Sequence, residues 1–515
     1  MLLTPANFRQ SVSVIALSLL FTHLPPANCL ADNSSEPGPR PNIVVVMADD
    51  QGWGDMAYNG HPALKTPVFD EMARTCLRLN QFYAAAPVCS PTRASVMSGR
   101  TPNRSGVFSW GHSLRPQEVS IAEALKTVGY TTAHFGKWHL GSVLPDSRTS
   151  PGAQGFDRWL SAPNFFEIDP WLSNQGKAEQ LKGESSELIV EHALQFLKSQ
   201  TPETPCLAVV WFGSPHSPHK GTPEDLALYP DQPEKQKHFL AEITAMDRAV
   251  GQLRTGLRQI GIADNTLLWY CSDNGAIPQG STGGLRGKKG QIYEGGLRVP
   301  CLIEWPDRIE SPRQSELPAC TYDIYPTLVE ITGAKIDHQP VLDGQSIAEL
   351  FDKEIRERHK PLGFWDAGVG GFSTPSDSIL AFVAEHQTDG TTIPADHAAH
   401  GKAPQPLEWD APAGSYQGHS AWRDGDWKLH RIERPDRPAN NNRKKKGANA
   451  SSNAGDSQSG VQTTKVTLEL YNLTLDPKEE HNLVASEAAR AKSMQQDLET
   501  WLQSVTDSLR GKDYN

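Results

Sequence analysis

Cysteine is scarce. Cys29, Cys76, Cys89, Cys206, Cys271, Cys301 and Cys320 are the only seven in 515 residues, and their spacing is irregular. Such a set makes no disulfide framework, and no Cys/His spacing is of the zinc type. Positive charge is short too: 49 Lys and Arg face 60 Asp and Glu, a formal net charge of −11. That balance argues against nucleic acid as a partner and gives no global attraction for a polyanion, so anions must be met by local basic groups. Past the N-terminal region no apolar run is long enough to cross a bilayer, and no internal repeat is found.

With 37% hydrophobic and 21% charged residues the composition is that of an ordinary globular chain. Its length exceeds the size at which a single core stops growing, so two domains are expected. Arg9 precedes an apolar stretch from Val12 to Leu24, then Pro25-Pro26 and a small-residue cleavage region near Ala31. Residues 1–31 therefore read as a secretory signal peptide, and the chain is expected to be exported, periplasmic or extracellular. The short stretch and its closing prolines weigh against a membrane anchor, and Pro-Ala-Asn before Cys29 is a poor context for lipid attachment.

Asn42 to Met47 is a continuous β-branched and apolar run, the pattern of a strand buried on both faces of a parallel sheet. Leu207 to Phe212 and Leu267 to Cys271 have the same character. Between the last two, Leu240, Ile243, Met246, Val250, Leu253, Leu257 and Ile260 recur at steps of three and four, one apolar helix face. Alternating strands and helices of this kind make an α/β domain, placed at residues 38–352. After Phe351 the character changes. Gly363 to Gly418 offers only short apolar runs, Ala421 to Leu429 reads as a hairpin about Asp424-Gly425, Thr464 to Leu473 as a strand and Ser486 to Val505 as an amphipathic helix. Residues 353–515 are expected to form a smaller α+β subdomain, with a disordered loop near 434–460.

Two strands end in carboxylates, Asp49-Asp50 and Asp273-Asn274, the position where ligands of open α/β sheets sit. These are hard oxygen donors of the kind that calcium or magnesium takes, although either pair alone could serve as a cap or turn. Cys89-Ser90-Pro91-Thr92-Arg93 forms a C-x-P-x-R core, which taken alone is equally a buried cysteine beside a turn proline. Gly136-Lys137-Trp138-His139-Leu140-Gly141 places a lysine and a histidine two apart, on one side of an extended segment. Pro215-His216-Ser217-Pro218 follows the Leu207 strand, and Gly287-Lys288-Lys289-Gly290 leads into Tyr293-Glu294-Gly295-Gly296-Leu297-Arg298-Val299-Pro300.

These segments, in this order, resemble the type I, formylglycine-dependent sulfatases, arylsulfatase-like members of the alkaline phosphatase superfamily. The likeness covers nearly the whole mature chain, with Thr92 standing where many relatives carry serine. It implies a large domain with a mostly parallel mixed sheet between helices and a smaller C-terminal domain with an antiparallel sheet. It further implies that Cys89 is oxidised to formylglycine by a maturation enzyme. Asp49, Asp50, Asp273, Asn274 and position 89 are then expected to hold Ca2+, in preference to Mg2+. Arg93, Lys137, His139, His216 and Lys289 complete the expected site. Lys289 is taken over Lys288 by counting back from Tyr293, while Asp55, Glu294 and Arg298 are assigned to structure.

The hydrated aldehyde would offer two hydroxyls: one attacks sulfur, and the second yields its proton to His139 so that the carbonyl reforms and sulfate leaves. His216 or Lys289 would serve the leaving oxygen, while Arg93 and Lys137 neutralise charge. Sulfated carbohydrates are the expected substrates, with their selection placed in the loops Trp159 to Trp171 and Gly363 to Gly418. The competing readings are a phosphonate or phosphate ester hydrolase of the same superfamily, and a sulfated-glycan binding protein that never matures its cysteine.

Overall fold

A computed structural model describes residues 40–406, 416–435 and 464–514. The expected signal peptide, and the loop expected near 434–460 apart from Arg434 and Pro435, lie outside these residues. The strand Asn42–Ala48 lies inside a ten-stranded mixed sheet. On one side it pairs in parallel with Cys206–Trp211, and then comes Thr131–Lys137; on the other it pairs in parallel with Thr266–Ser272. Antiparallel strands close both flanks, Cys301–Glu304 beside Thr266–Ser272 and Trp171–Asn174 beyond Arg158–Ala162.

The alternation of side chains along a strand explains why these runs are apolar at every position. Ile43, Val45 and Met47 join one core cluster with Val209, Trp211, Trp269 and Cys271. Val44, Val46 and Ala48 point the other way, into a cluster with Val210, Tyr270 and the helix Glu234–Ile260. The seven periodic residues of that helix all pack there, and Gly261 ends it at φ 84°. All six described cysteines are buried thiols without a disulfide.

A second sheet of four strands, Leu362–Asp366, Gly418–Asp424, Trp427–Pro435 and Thr464–Asn472, is antiparallel throughout. Its hairpin turns through Gly425 at φ 53°, and the helix Ala488–Leu509 covers one face with Met494, Leu498, Leu502 and Val505. Leu362, Phe364 and Ala421 meet Tyr83, Ile292 and Leu297 of the larger region in a shared apolar cluster. Thus the small sheet braces the segment that carries the Gly-Lys-Lys-Gly motif.

One element was missed by the sequence pattern. Ser376–Asp389 is a helix of 14 residues inside the stretch read as loop, burying Ile379, Leu380 and Val383. Its apolar stripe is narrow and Gly/Pro-rich sequence flanks it, so the periodic signal is weak.

Candidate active site

Strand order gathers the motifs. The four neighbouring parallel strands end, in turn, at Asp273-Asn274, Asp49-Asp50, the Ser214–His216 turn and the Lys137–His139 turn. Backbone bonds lock these ends together: Asp273 N–H donates to Ala48 O at 3.2 Å and Asp49 N–H to Ser214 O at 2.9 Å. Cys89, 2% exposed, begins the helix Cys89–Ser98, every residue of which is buried. The Thr92 hydroxyl donates to Ala86 O at 2.9 Å and accepts from Ala86 N–H at 3.2 Å. Gly290 N–H donates to Pro87 O at 2.8 Å, which fixes the lysine loop beside Cys89.

The charges interlock. Arg93 donates from Nε and Nη2 to Asp273 Oδ2 at 3.1 and 2.7 Å, and from Nη1 to Lys137 O at 3.0 Å. Lys137 Nζ donates to Asp49 Oδ2 at 2.6 Å, and Lys289 Nζ lies 2.5 Å from Asp50 Oδ1. Asn274 Nδ2 donates to the same Asp50 oxygen at 2.8 Å, and Asp50 N–H to Asp273 Oδ1 at 3.1 Å. Asp50 holds φ 75° and His139 φ 54°, left-handed conformations uncommon outside glycine and often found at functional sites. The extended geometry expected across Lys137 and His139 therefore stops at Lys137, the last residue of its strand. Just before it, Gly136 runs so close to the next strand that a Cβ would stand 1.9 Å from Trp211 O.

Burial drives the titration behaviour. It lifts Asp49 to about 8 against the pull of Lys137, and it raises the Cys89 thiol. For Asp50 burial also pushes upward, but Lys289, His216 and Lys137 outweigh it and hold the carboxyl below its ordinary range. Burial lowers His216 to about 3, and with Lys137 and Arg93 it holds His139 well below the ordinary imidazole value.

The residues fit a hard divalent cation. Ligand atoms of Asp49, Cys89 and Asp273 lie within 4.8 Å of one another, as do those of Asp49, Asp50 and His216. Asp49 Oδ1 and Asn274 Oδ1 are buried oxygens with no hydrogen-bond partner, the kind of group that a cation would satisfy.

Cys89, His139, His216 and Lys289 line one cavity of about 350 Å³, whereas Lys288 is exposed and outside it. His219 pairs with Glu242 at 3.2 Å and is not part of the lining. Asp55 accepts from Gly52 and Ser281 N–H and so clamps loops, while Arg298 donates to Asn80 O. Glu294 is likewise buried in an ion network with Lys428. Sequence motifs do not reveal the remaining wall: Val88, Trp110, Asn164, Phe165 and Ser373. Asn164, Phe165 and Ser373 come from the two loops expected to select substrate, but Trp110 sits alone in a Gly/Ser stretch with no signal.

Residues 41–334 match the family model described as Sulfatase. The chain is 31% identical to human arylsulfatase A over 400 residues, 70% of this chain and 78% of the relative. It is 30% identical to the ulvan-active sulfatase of Formosa agariphila over 365 residues, 66% of this chain and 71% of the relative. The crystal structure of Ps i-CgsB in complex with k-i-k-neocarrahexaose superposes with TM-score 0.68 at 22% identity, covering 90% of this chain and 92% of that one.

Proposed function

The chain belongs to the sulfatase family and is a sulfuric ester hydrolase; we propose that it is exported and cleaves sulfate from sulfated saccharides, using formylglycine made from Cys89 and a bound calcium ion. The observation that carries this reading is the meeting of Cys89, Asp49 and Asp273 at one point beside a cavity that also receives Lys289, His216 and His139. The saccharide part draws on one relative that is active on ulvan and on a structural neighbour that holds neocarrahexaose. Export rests on the composition of residues 1–31.

Asp49, Asp50, Asp273 and Asn274 would hold the cation, which supplies positive charge for sulfate oxygens and for an ionising hydroxyl. An aldehyde hydrate at position 89 supplies the hydroxyl nucleophile that the buried thiol would not.

The protein's own groups do the rest. Lys289 remains charged against Asp50 and presents its ammonium to the sulfate. Arg93 and Lys137 hold Asp273 and Asp49 in place and offset negative charge around position 89. Neither ring nitrogen of buried His139 has a hydrogen-bond partner, which leaves a lone pair open to a proton released beside position 89. His216 Nδ1 is committed to Ser217 O at 2.5 Å, which leaves Nε2, 3.7 Å from Asp50 Oδ2, as the nitrogen available to the cavity. Either that nitrogen, once protonated, or the Lys289 ammonium would serve the leaving oxygen.

The test is the mass of the Cys89 peptide from protein exported by a host that matures a control sulfatase, combined with sulfate release from sulfated saccharides. An aldehyde with turnover supports the reading. An unmodified thiol in a fully active enzyme sinks the nucleophile assignment.

A further inference from the structure

The cavity beside Cys89 has a second half that no catalytic role uses. Trp110 is 46% exposed although its surroundings hold it firmly. Its carbonyl accepts from Phe372 N–H at 2.9 Å, and the next residue, Gly111, donates its N–H to Ser90 Oγ at 2.9 Å, one residue from Cys89. A Cβ on Gly371 would stand 2.3, 2.4 and 2.6 Å from Cδ2, Cε2 and Cγ of the indole. Contacts this short to three ring atoms leave no room for a side chain between Gly371 and the indole, so only glycine allows this approach.

Across the same cavity, Asn164 is 8% exposed and its carboxamide Oδ1 has no hydrogen-bond partner. Its backbone is fixed by Ser376 Oγ, which accepts from Asn164 N–H at 2.9 Å. The neighbouring Phe165 stacks on His216, ring centroids 4.3 Å apart and planes 15° from parallel. A fixed flat aromatic surface and a buried acceptor awaiting a donor thus flank the sulfate-binding groups.

Resting on the saccharide reading above, we propose that Trp110 and Asn164 form the ring-binding subsite for the sulfated pyranose, with Gly371 as the residue that positions the indole. A pyranose has the two features that this wall matches: an apolar face of C–H groups to lie on the indole, and hydroxyl donors at its rim, one of which Asn164 Oδ1 accepts. An aryl or steryl ester would use the aromatic wall only and leave the Asn164 oxygen buried and unpaired. The volume, about 350 Å³, lies near the low end of small-molecule sites and suits one ring with its sulfate.

The test compares matured wild type with Trp110→Ala, Trp110→Phe, Asn164→Ala and Gly371→Ala. Each is assayed on the monosulfated pyranoside that wild type turns over best and on 4-nitrophenyl sulfate, which has no ring hydroxyl. Asn164→Ala is expected to lower the pyranoside-over-aryl ratio of kcat/KM roughly ten-fold, whereas Trp110→Ala, which removes a surface that both substrates use, is expected to lower kcat/KM on the pyranoside roughly ten-fold, mainly through KM. Trp110→Phe should restore most of the loss, and Gly371→Ala should reproduce part of it without deleting any atom that touches substrate. A ratio within two-fold of wild type in Asn164→Ala, or a kcat/KM on the pyranoside within two-fold of wild type in Trp110→Ala, would overturn the subsite. Wild type that cleaves aryl or steryl sulfates but no pyranoside overturns the saccharide assignment and leaves the sulfatase chemistry standing. Confirmed aldehyde with no turnover of any sulfate ester would overturn the parent reading itself.

Discussion

Lys428→Met should cost the fold several kcal/mol and disturb the lysine loop at a distance. The Lys428 ammonium is fully buried between two carboxylates, 2.9 Å from Glu294 Oε1 and 3.0 Å from Glu479 Oε1. The other oxygens are already committed, Glu294 Oε2 to Tyr83 O–H at 2.8 Å and Glu479 Oε2 to Glu294 N–H at 2.8 Å. His430 Nε2 stands 2.8 Å from Glu479 Oε1, but burial, the largest influence on it and one that the substitution leaves in place, holds its pKa below the ordinary value, so it does not stand in for the lost ammonium. Methionine nearly matches the lysine stem in volume, so the cavity term is small and the charge term dominates.

Breaking a buried pair by removing one partner costs about 3–5 kcal/mol. With an unfolding entropy of roughly 2.1 cal/mol/K per residue, a chain of this length loses about 1 °C of Tm per kcal/mol, so a drop of about 3–5 °C is expected. Differential scanning calorimetry at pH 7 reads it. Adding Glu294→Gln removes one of the two stranded charges and should recover about half of the loss. A Tm change under ~1 °C in Lys428→Met, or a double variant less stable than the single one, would refute the electrostatic reasoning.

Four other outcomes are expected. Cys89→Ala should reduce turnover by at least ~10³-fold with an unchanged circular dichroism spectrum, and residual activity near wild type would remove position 89 from the chemistry. Chelation with EGTA should silence the enzyme and added Ca2+ should restore it; full activity after prolonged dialysis against chelator, with no calcium found by atomic absorption, would contradict the cation assignment. Lys289→Ala should lower kcat/KM by ~10²-fold or more, whereas exposed Lys288→Ala should change it less than two-fold, and the reverse ranking would swap the two roles. Burial lifts Asp247 from its unfolded value of 3.8 to about 7, against the N–H groups of Phe69 and Val68. The folded state therefore binds the extra proton between those values, and unfolding free energy falls as pH rises from about 4 to 7. Asp247→Asn should flatten that part of the stability profile, and thermal melts at pH 5 and pH 8 that keep the wild-type difference would exclude Asp247 as its source.

The sequence by itself determined the central strands, the long helix and the residue types that stand in the motifs at their ends. Runs such as Asn42 to Met47 are legible because a strand buried on both faces must be apolar at every position, and Ile43 and Val44 do enter opposite cores. Asp49, Asp273, Cys89 and Lys137 are legible because their short motifs carry chemistry in residue type and order. The helix Ser376–Asp389 was not, since the short elements of the second half draw their stability from the surfaces they cover.

Only tertiary structure could decide which strand ends are neighbours, that Lys289 and not Lys288 enters the cavity, and that His139 turns through a left-handed conformation. It alone brings Trp110, Asn164 and Ser373, from three distant segments, to one wall. A motif records the residues a reaction needs, whereas a cavity wall records only shape and spare hydrogen-bonding capacity. Those exist once non-local contacts have set the distances between chain segments far apart in sequence.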